Sequence, residues 1–210
     1  MSRYRLTASL LNSWLRATDP EAVGNEYEDF LAVLGREQRP TAPAAQAGID
    51  FENAVSIVAE KGELTPGDCA DRDVNAVYAF GQRCKDAAYQ VRAEKDIEVC
   101  GLLIRLVGIA DFLKAGIITD IKRVLRYEYG KYQGSAQHPM YFELFPEAVR
   151  FDYLIYDGAY CYIEQYRRGE YRPIQQTAQA FLRYLDDAGL MDIYKEKWEE
   201  KENGMDERRK

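Results

Sequence analysis

The chain has 210 residues, with 28 basic and 35 acidic side chains and a net charge of −7. Its 47% hydrophobic and 30% charged content fits a soluble globular protein and excludes a disordered one. The acidic balance argues against a generic nucleic-acid-coating protein, but leaves room for a locally basic groove around a metal. In chain order, Leu6, Leu10, Leu11, Trp14 and Leu15 fall on one face of an amphipathic helix over 6–15, with Thr7 or Ser9 as its cap. Pro20 to Leu34 predicts a second helix that Gly35 ends. Arg36 to Ala47, with two prolines and four alanines, reads as an exposed connection long enough to be mobile. Helical spacing returns from Phe51 to Gly62, and again from Arg72 to Tyr89 after a turn at Glu63–Asp68.

The period then shortens. Val91–Cys100, Leu102–Phe112 and Ile117–Val124 read as neighbouring strands, the last two joined by a tight turn at Ala115-Gly116. Ser135–Phe145 predicts a helix with Pro139 near its first turn, where a missing N–H is tolerated. Val149–Tyr156 and Tyr160–Tyr166 flank Asp157-Gly158, a hairpin signal. Pro173 opens a last helix that breaks at Gly189 and resumes to Trp198, and 199–210 is a frayed charged tail. The order predicts one α/β domain over 1–198: a helical part to about 90, a sheet core to about 166, and a C-terminal helix.

Cys69, Cys84, Cys100 and Cys161 form no Cys-x-x-Cys pair, which argues against a zinc ribbon or clustered iron–sulfur site. They read as buried reduced thiols of a cytosolic protein. The single histidine, His138, excludes two-histidine sites within one chain and reads as structural or exposed. A triad built on it has no supporting Gly-x-Ser-x-Gly. No run reaches the roughly 18 apolar residues of a membrane span.

The informative segment is Gly108-Ile109-Ala110-Asp111, then eight residues, then Asp120-Ile121-Lys122. Antiparallel pairing across the turn would bring Asp111 and Asp120 together, a repulsion that a divalent cation with oxygen ligands would relieve. Asp120 and Lys122, two apart on one strand, share a sheet face. Asp-x-Lys alone reads better as an ordinary surface ion pair; here it lies among Ile117, Ile118 and Ile121, which mark a buried strand.

Gly-x-x-Asp followed by Asp-x-Lys resembles the PD-(D/E)xK nuclease core, and specifically its RecB-like exonuclease branch. Gly48-Ile49-Asp50-Phe51-Glu52 resembles that branch's upstream helix motif, and Gln137-His138-Pro139-Met140-Tyr141 resembles its Gln-x-x-x-Tyr motif. The motifs keep the family's order from Gly48 to Tyr166, and Leu6-Thr7-Ala8-Ser9 also looks like the usual opening. Ala110 replaces the proline that names the superfamily, and Glu52 stands where many members carry histidine. The cysteine quartet of the iron–sulfur relatives is not reproduced, so no such cluster is expected.

The resemblance implies a restriction-endonuclease-like mixed β-sheet flanked by helices. It implies Mg²⁺ or Mn²⁺ on Asp111, Asp120 and the Ile121 carbonyl, with Glu52 adding a carboxylate. Lys122 would orient or help deprotonate the attacking water and stabilise charge at phosphate. Gln137 would hold the site and the substrate strand, and Tyr141 would line it. Arg123 and Arg126, among Tyr127, Tyr129 and Tyr132, form a basic stretch that would track a phosphate backbone, although an exposed loop looks similar. Twelve of the 16 tyrosines lie from Tyr127 onward; strand preference explains them as readily as base stacking. The expectation is a metal-dependent DNA exonuclease, a stand-alone cytoplasmic module of phage or prophage type with DNA as partner and a recombination or repair protein as a candidate second partner. The rival is a catalytically weak nucleic-acid-binding or protein-interaction module that kept the fold. An RNA-directed nuclease would differ only in substrate.

Overall fold

The computed structural model describes residues 2–21 and 24–200. Its elements are β1 (Arg3–Thr7), α1 (Ala8–Ala17), α2 (Glu26–Leu34), α3 (Pro43–Lys61), a 3-10 turn at Asp71–Asp73, α4 (Val74–Cys84), β2 (Ala88–Val99), β3 (Leu102–Lys114) and β4 (Ile117–Arg123). They continue with α5 (Gln137–Leu144), β5 (Arg150–Tyr156), β6 (Cys161–Arg167), α6 (Ile174–Asp187), α7 (Met191–Trp198) and β7 (Glu199–Glu200). The fold is α/β, with a seven-stranded mixed sheet in the order β6-β5-β4-β3-β1-β7 and β2 paired to β3 off that path. Among the described residues, no helix is long and apolar enough to cross a membrane.

The chain divides into two compact units. The first gathers the described residues of 1–37, 94–107 and 173–210. Its β1 runs parallel to β3, Arg3 to Thr7 opposite Leu103 to Val107, and antiparallel to β7. α1 and α6 bury Leu10, Leu11 and Trp14 with Phe181 and Leu185, and the Trp14 and Phe181 rings meet edge-on at 5.5 Å. The expected helix over 6–15 therefore begins later. Leu6 is a strand residue, and the Thr7 hydroxyl caps α1 by accepting from the Leu10 N–H at 3.3 Å. α2 begins at Glu26, not Pro20. Glu199–Glu200 form a short strand against β1, where a frayed tail is expected; the remainder of that tail, 201–210, lies outside the described residues.

The second unit, 38–93 and 108–172, carries the segment of chemical interest. Pro43 starts α3 at N1, so the expected connection over 36–47 is shorter than its composition suggests. Gly62, at φ 83°, ends α3 in the left-handed cap that glycine adopts without a Cβ penalty. Phe51, Val55 and Val58 of α3 pack with Val77 and Phe80 of α4 and with Phe112, Ile121 and Leu154 of the sheet. Burial of one such side chain contributes roughly 1.5–3 kcal/mol. α4 stops at Cys84, and Tyr89 belongs to β2 instead of the helix. The Ala115-Gly116 turn has φ of 48° and 75°, two consecutive positive values that suit the twist of a tight hairpin. β4 then runs parallel to β5, with Asp120 opposite Tyr153 and Lys122 opposite Ile155.

Only Cys84 of the four cysteines is buried; Cys69 is partly so, and Cys100 and Cys161 are exposed. Cys100 sits in the β2–β3 turn at φ 51°, and Cys161 opens β6, which explains their access to solvent. His138 is fully buried.

Candidate functional site

β3 and β4 pair antiparallel from Lys114–Ile117 to Phe112–Thr119. Where that ladder ends, Asp111 turns its carboxylate to β4 and Oδ2 accepts the Ile121 N–H at 2.9 Å. One side chain thus satisfies a backbone donor and fixes the position of the Asp-x-Lys strand. Asp120, 3% exposed, faces the same place from β4. Lys122 Nζ lies 2.6 Å from Asp120 Oδ2, as two residues on one strand face should. Lys122 is thus the charged partner of Asp120 Oδ2.

α5 closes the site from above the strands. The Gln137 amide donates to Asp120 Oδ1. One turn later the Tyr141 hydroxyl donates to the Ile109 carbonyl at 2.6 Å and accepts the Ile109 N–H at 3.2 Å. The two residues share a helix face, as their spacing of four requires. Met140, Phe142 and Leu144 are buried. Gly108 lets the helix come this close: a Cβ there would stand 2.7 Å from Leu144 Cδ1 and 3.2 Å from the Tyr141 ring. The glycine of Gly-x-x-Asp therefore serves helix packing on the strand that carries Asp111.

Glu52 reaches the region from α3. Its Oε1 accepts from the Gln90 amide at 2.6 Å and from the Tyr89 hydroxyl at 3.3 Å. Burial, and then the charge of Asp120, raise the Glu52 carboxyl above its ordinary value. Burial raises Asp111 well above the usual range, and Asp120 and Glu52 push it further. Burial disfavours the Lys122 ammonium, but the Asp120 carboxylate outweighs that and raises Lys122 overall. Lys122 is therefore protonated at neutral pH and is a charge donor here, not a proton acceptor.

Three carboxylates and one ammonium leave a local excess of negative charge. All the donors are hard oxygens, the set that suits Mg²⁺ or Mn²⁺. The repulsion between Asp111 and the buried Asp120, which adds to desolvation in raising Asp111, is what a cation would relieve, so the residues fit such an ion. Each carboxylate already has its own protein partner, and among the described residues no three His, Cys, Asp or Glu side chains are gathered to hold a metal ion.

Of the two arginines expected to contact substrate, Arg123 is committed inside the fold and Arg126 lies at the surface. Arg123 gives Nε to Asp73 Oδ2 at 3.1 Å, and both side chains are nearly buried. Its work is to tie β4 to the turn before α4. Arg126 is exposed and pairs with Glu128 at 2.9 Å. Tyr89, Gln90 and Tyr153 stand at the site without any signal in the sequence, and Tyr132, marked only as part of the basic stretch, joins them. The Tyr132 and Tyr153 rings stack at 4.4 Å, and Lys122 Nζ lies 5.9 Å over the Tyr153 ring. The parallel β4–β5 pairing that delivers Tyr153 joins segments about 30 residues apart, beyond any local pattern.

No family model matches the chain, and no curated protein matches it. Among solved structures it is similar to the crystal structure of SSO0001, at a TM-score of 0.52 and 18% identity, covering 86% of this chain and 76% of that one. At that identity the likeness speaks to the α/β mixed-sheet fold alone.

Proposed function

We propose that the chain is a metal-dependent nuclease that hydrolyses DNA phosphodiester bonds, an exonuclease by its resemblance to the RecB-like branch. The observation that carries this reading is the joint placement of Asp111, Asp120 and Lys122 with Gln137 held on Asp120. Clustered buried charge of this kind destabilises a fold unless a ligand uses it.

Asp111 and Asp120, with the Ile121 carbonyl and Glu52, would hold Mg²⁺ or Mn²⁺. A bound divalent ion supplies the Lewis acidity that activates water and neutralises charge at phosphate. Lys122, kept protonated by Asp120, stabilises negative charge as it grows on the non-bridging phosphate oxygens. Gln137 keeps Asp120 from rotating, and Asp111 pins β4 through the Ile121 N–H. Tyr141 clamps β3 at Ile109, which fixes Asp111 two residues on.

The test combines cleavage of labelled DNA in Mg²⁺ or Mn²⁺ with Mn²⁺ affinity. Lys122→Ala should lower the cleavage rate by about 10²-fold or more, the range for loss of a charged transition-state contact. Its Mn²⁺ binding should survive, because an ammonium is no ligand. Asp111→Ala and Asp120→Ala should lose both. Cleavage by Lys122→Ala at the wild-type rate would remove its catalytic role. A wild type inactive on single-stranded, duplex and nicked DNA would favour the rival, a binding module on the nuclease fold.

A further inference from the structure

The segment between β4 and α5, residues 124–136, is built in two parts. Its base is fixed. The buried Glu164 carboxylate accepts the Tyr127 hydroxyl at 2.7 Å and the Tyr132 N–H at 3.1 Å. Tyr132 stacks on Tyr153, the residue opposite Asp120 in the β4–β5 register. Its tip is open. Leu125 is 86% exposed and Tyr129 is 91% exposed. Arg126, Glu128, Tyr129, Gly130 and Lys131 line a cleft of about 390 Å³. Lys131 Nζ donates to the Arg126 carbonyl at 3.3 Å, a contact that leaves its charge in place.

A single exposed apolar residue needs no explanation. Here a segment anchored at its base holds an aromatic ring and a leucine in water, beside Lys131 and an Arg126 that pairs with Glu128 at 2.9 Å, on a protein of net charge −7. We infer that this segment is a stacking platform for single-stranded DNA: the Tyr129 ring takes a base face, Leu125 packs on the neighbouring sugar or base, and Lys131 meets a flanking phosphate. This rests on the nuclease reading for its substrate class. An aromatic ring recognises the π-face that every base carries, so the platform is tolerant of sequence. Duplex DNA hides those faces, so the platform discriminates against it. The stacking of Tyr132 on Tyr153 ties the base of the platform to the strand position opposite Asp120.

The test is fluorescence anisotropy of a labelled single-stranded oligonucleotide in EDTA, without divalent cation, beside a duplex of the same sequence. Tyr129→Ala should weaken single-strand binding about 5- to 100-fold, as expected for one lost base–aromatic stack. Tyr129→Phe keeps the ring and should stay within about twofold of wild type. Lys131→Ala should lower the salt slope by about 0.7, the share of one phosphate on a single strand. Tyr129 is exposed, so thermal melts of these variants should match wild type. Unchanged affinity in Tyr129→Ala, equal losses on duplex, or no single-strand binding by wild type would each overturn the platform. Cleavage is scored separately, with metal. Tyr129-dependent binding without cleavage keeps the platform and removes the nuclease reading. Lys122-dependent cleavage with Tyr129-indifferent binding does the reverse.

Discussion

Gln90 has φ of 53°, in the left-handed region that residues with a Cβ reach at a cost of about 1–2 kcal/mol. It is a strand residue of β2 whose amide is delivered to Glu52 by that strain. Two substitutions separate the backbone from the side chain. Gln90→Ala keeps the strain and loses the amide donor. Gln90→Gly loses the donor but relaxes the backbone. Urea unfolding should therefore rank Gly above Ala by about 1 kcal/mol. An Ala variant as stable as the Gly variant would mean that the backbone at 90 relaxes elsewhere. No sequence signal marks this position, because a positive φ at glutamine is imposed by tertiary packing. Asp111, Asp120 and Lys122 are legible for the opposite reason: acid and base at fixed spacing in an apolar strand have few local explanations. The glycine of Gly-x-x-Asp is legible as a letter, but its reason, the approach of Leu144 and Tyr141, belongs to the packing of α5.

Between elements, the Arg123–Asp73 pair joins β4 to the turn that starts α4, and the Tyr156 hydroxyl adds a second tie by donating to the Arg72 carbonyl at 3.1 Å. Removing one partner strands the other, largely desolvated. Asp73→Ala should cost about 3 kcal/mol in denaturant unfolding, whereas the double variant Asp73→Leu with Arg123→Met should recover most of it. A loss below about 0.5 kcal/mol in the single variant would mean that water already solvates the guanidinium. Arg123 shows how far an element can be read from sequence. A basic residue at a strand end looks like a phosphate contact until its partner, 50 residues upstream, is known. The same limit hid β1. Its partner strand begins about 100 residues later, so Leu6 carries a helical spacing that the pairing of Arg3–Thr7 with Leu103–Val107 overrides. Helices α5 and α6, the C-terminal part of α3 and the β5–β6 hairpin are legible because their apolar spacing and turns are written locally.

At the scale of the whole molecule, stability sums over every group whose ionisation changes on folding. His138 is buried with no partner for Nε2, stacked on Tyr166 at 4.0 Å, and burial lowers it from 6.5 to about 4. The folded chain therefore resists protonating it, while the unfolded chain takes the proton below about pH 6.5. Between those values the unfolded state binds more protons, so His138 contributes stability that is complete above pH 6.5 and declines as pH falls toward 4. The decline is roughly 3 kcal/mol, from about 2.5 pH units at 1.36 kcal/mol each. Glu52 and Asp111 act in the other direction. Their folded carboxyls are raised, so they oppose folding increasingly as pH rises through the unfolded carboxylate range near 4. The wild-type profile mixes both. The difference between wild type and His138→Phe isolates the histidine, because phenylalanine keeps an aromatic ring beside Tyr166 and Tyr153 and does not titrate. Urea unfolding at pH 7, 6, 5 and 4.5 should show the wild type losing stability relative to His138→Phe, with most of the change between pH 6.5 and 4.5. Parallel profiles for the two proteins would mean that His138 reaches a proton-accepting partner on protonation, and that its aromatic surroundings do not hold it neutral.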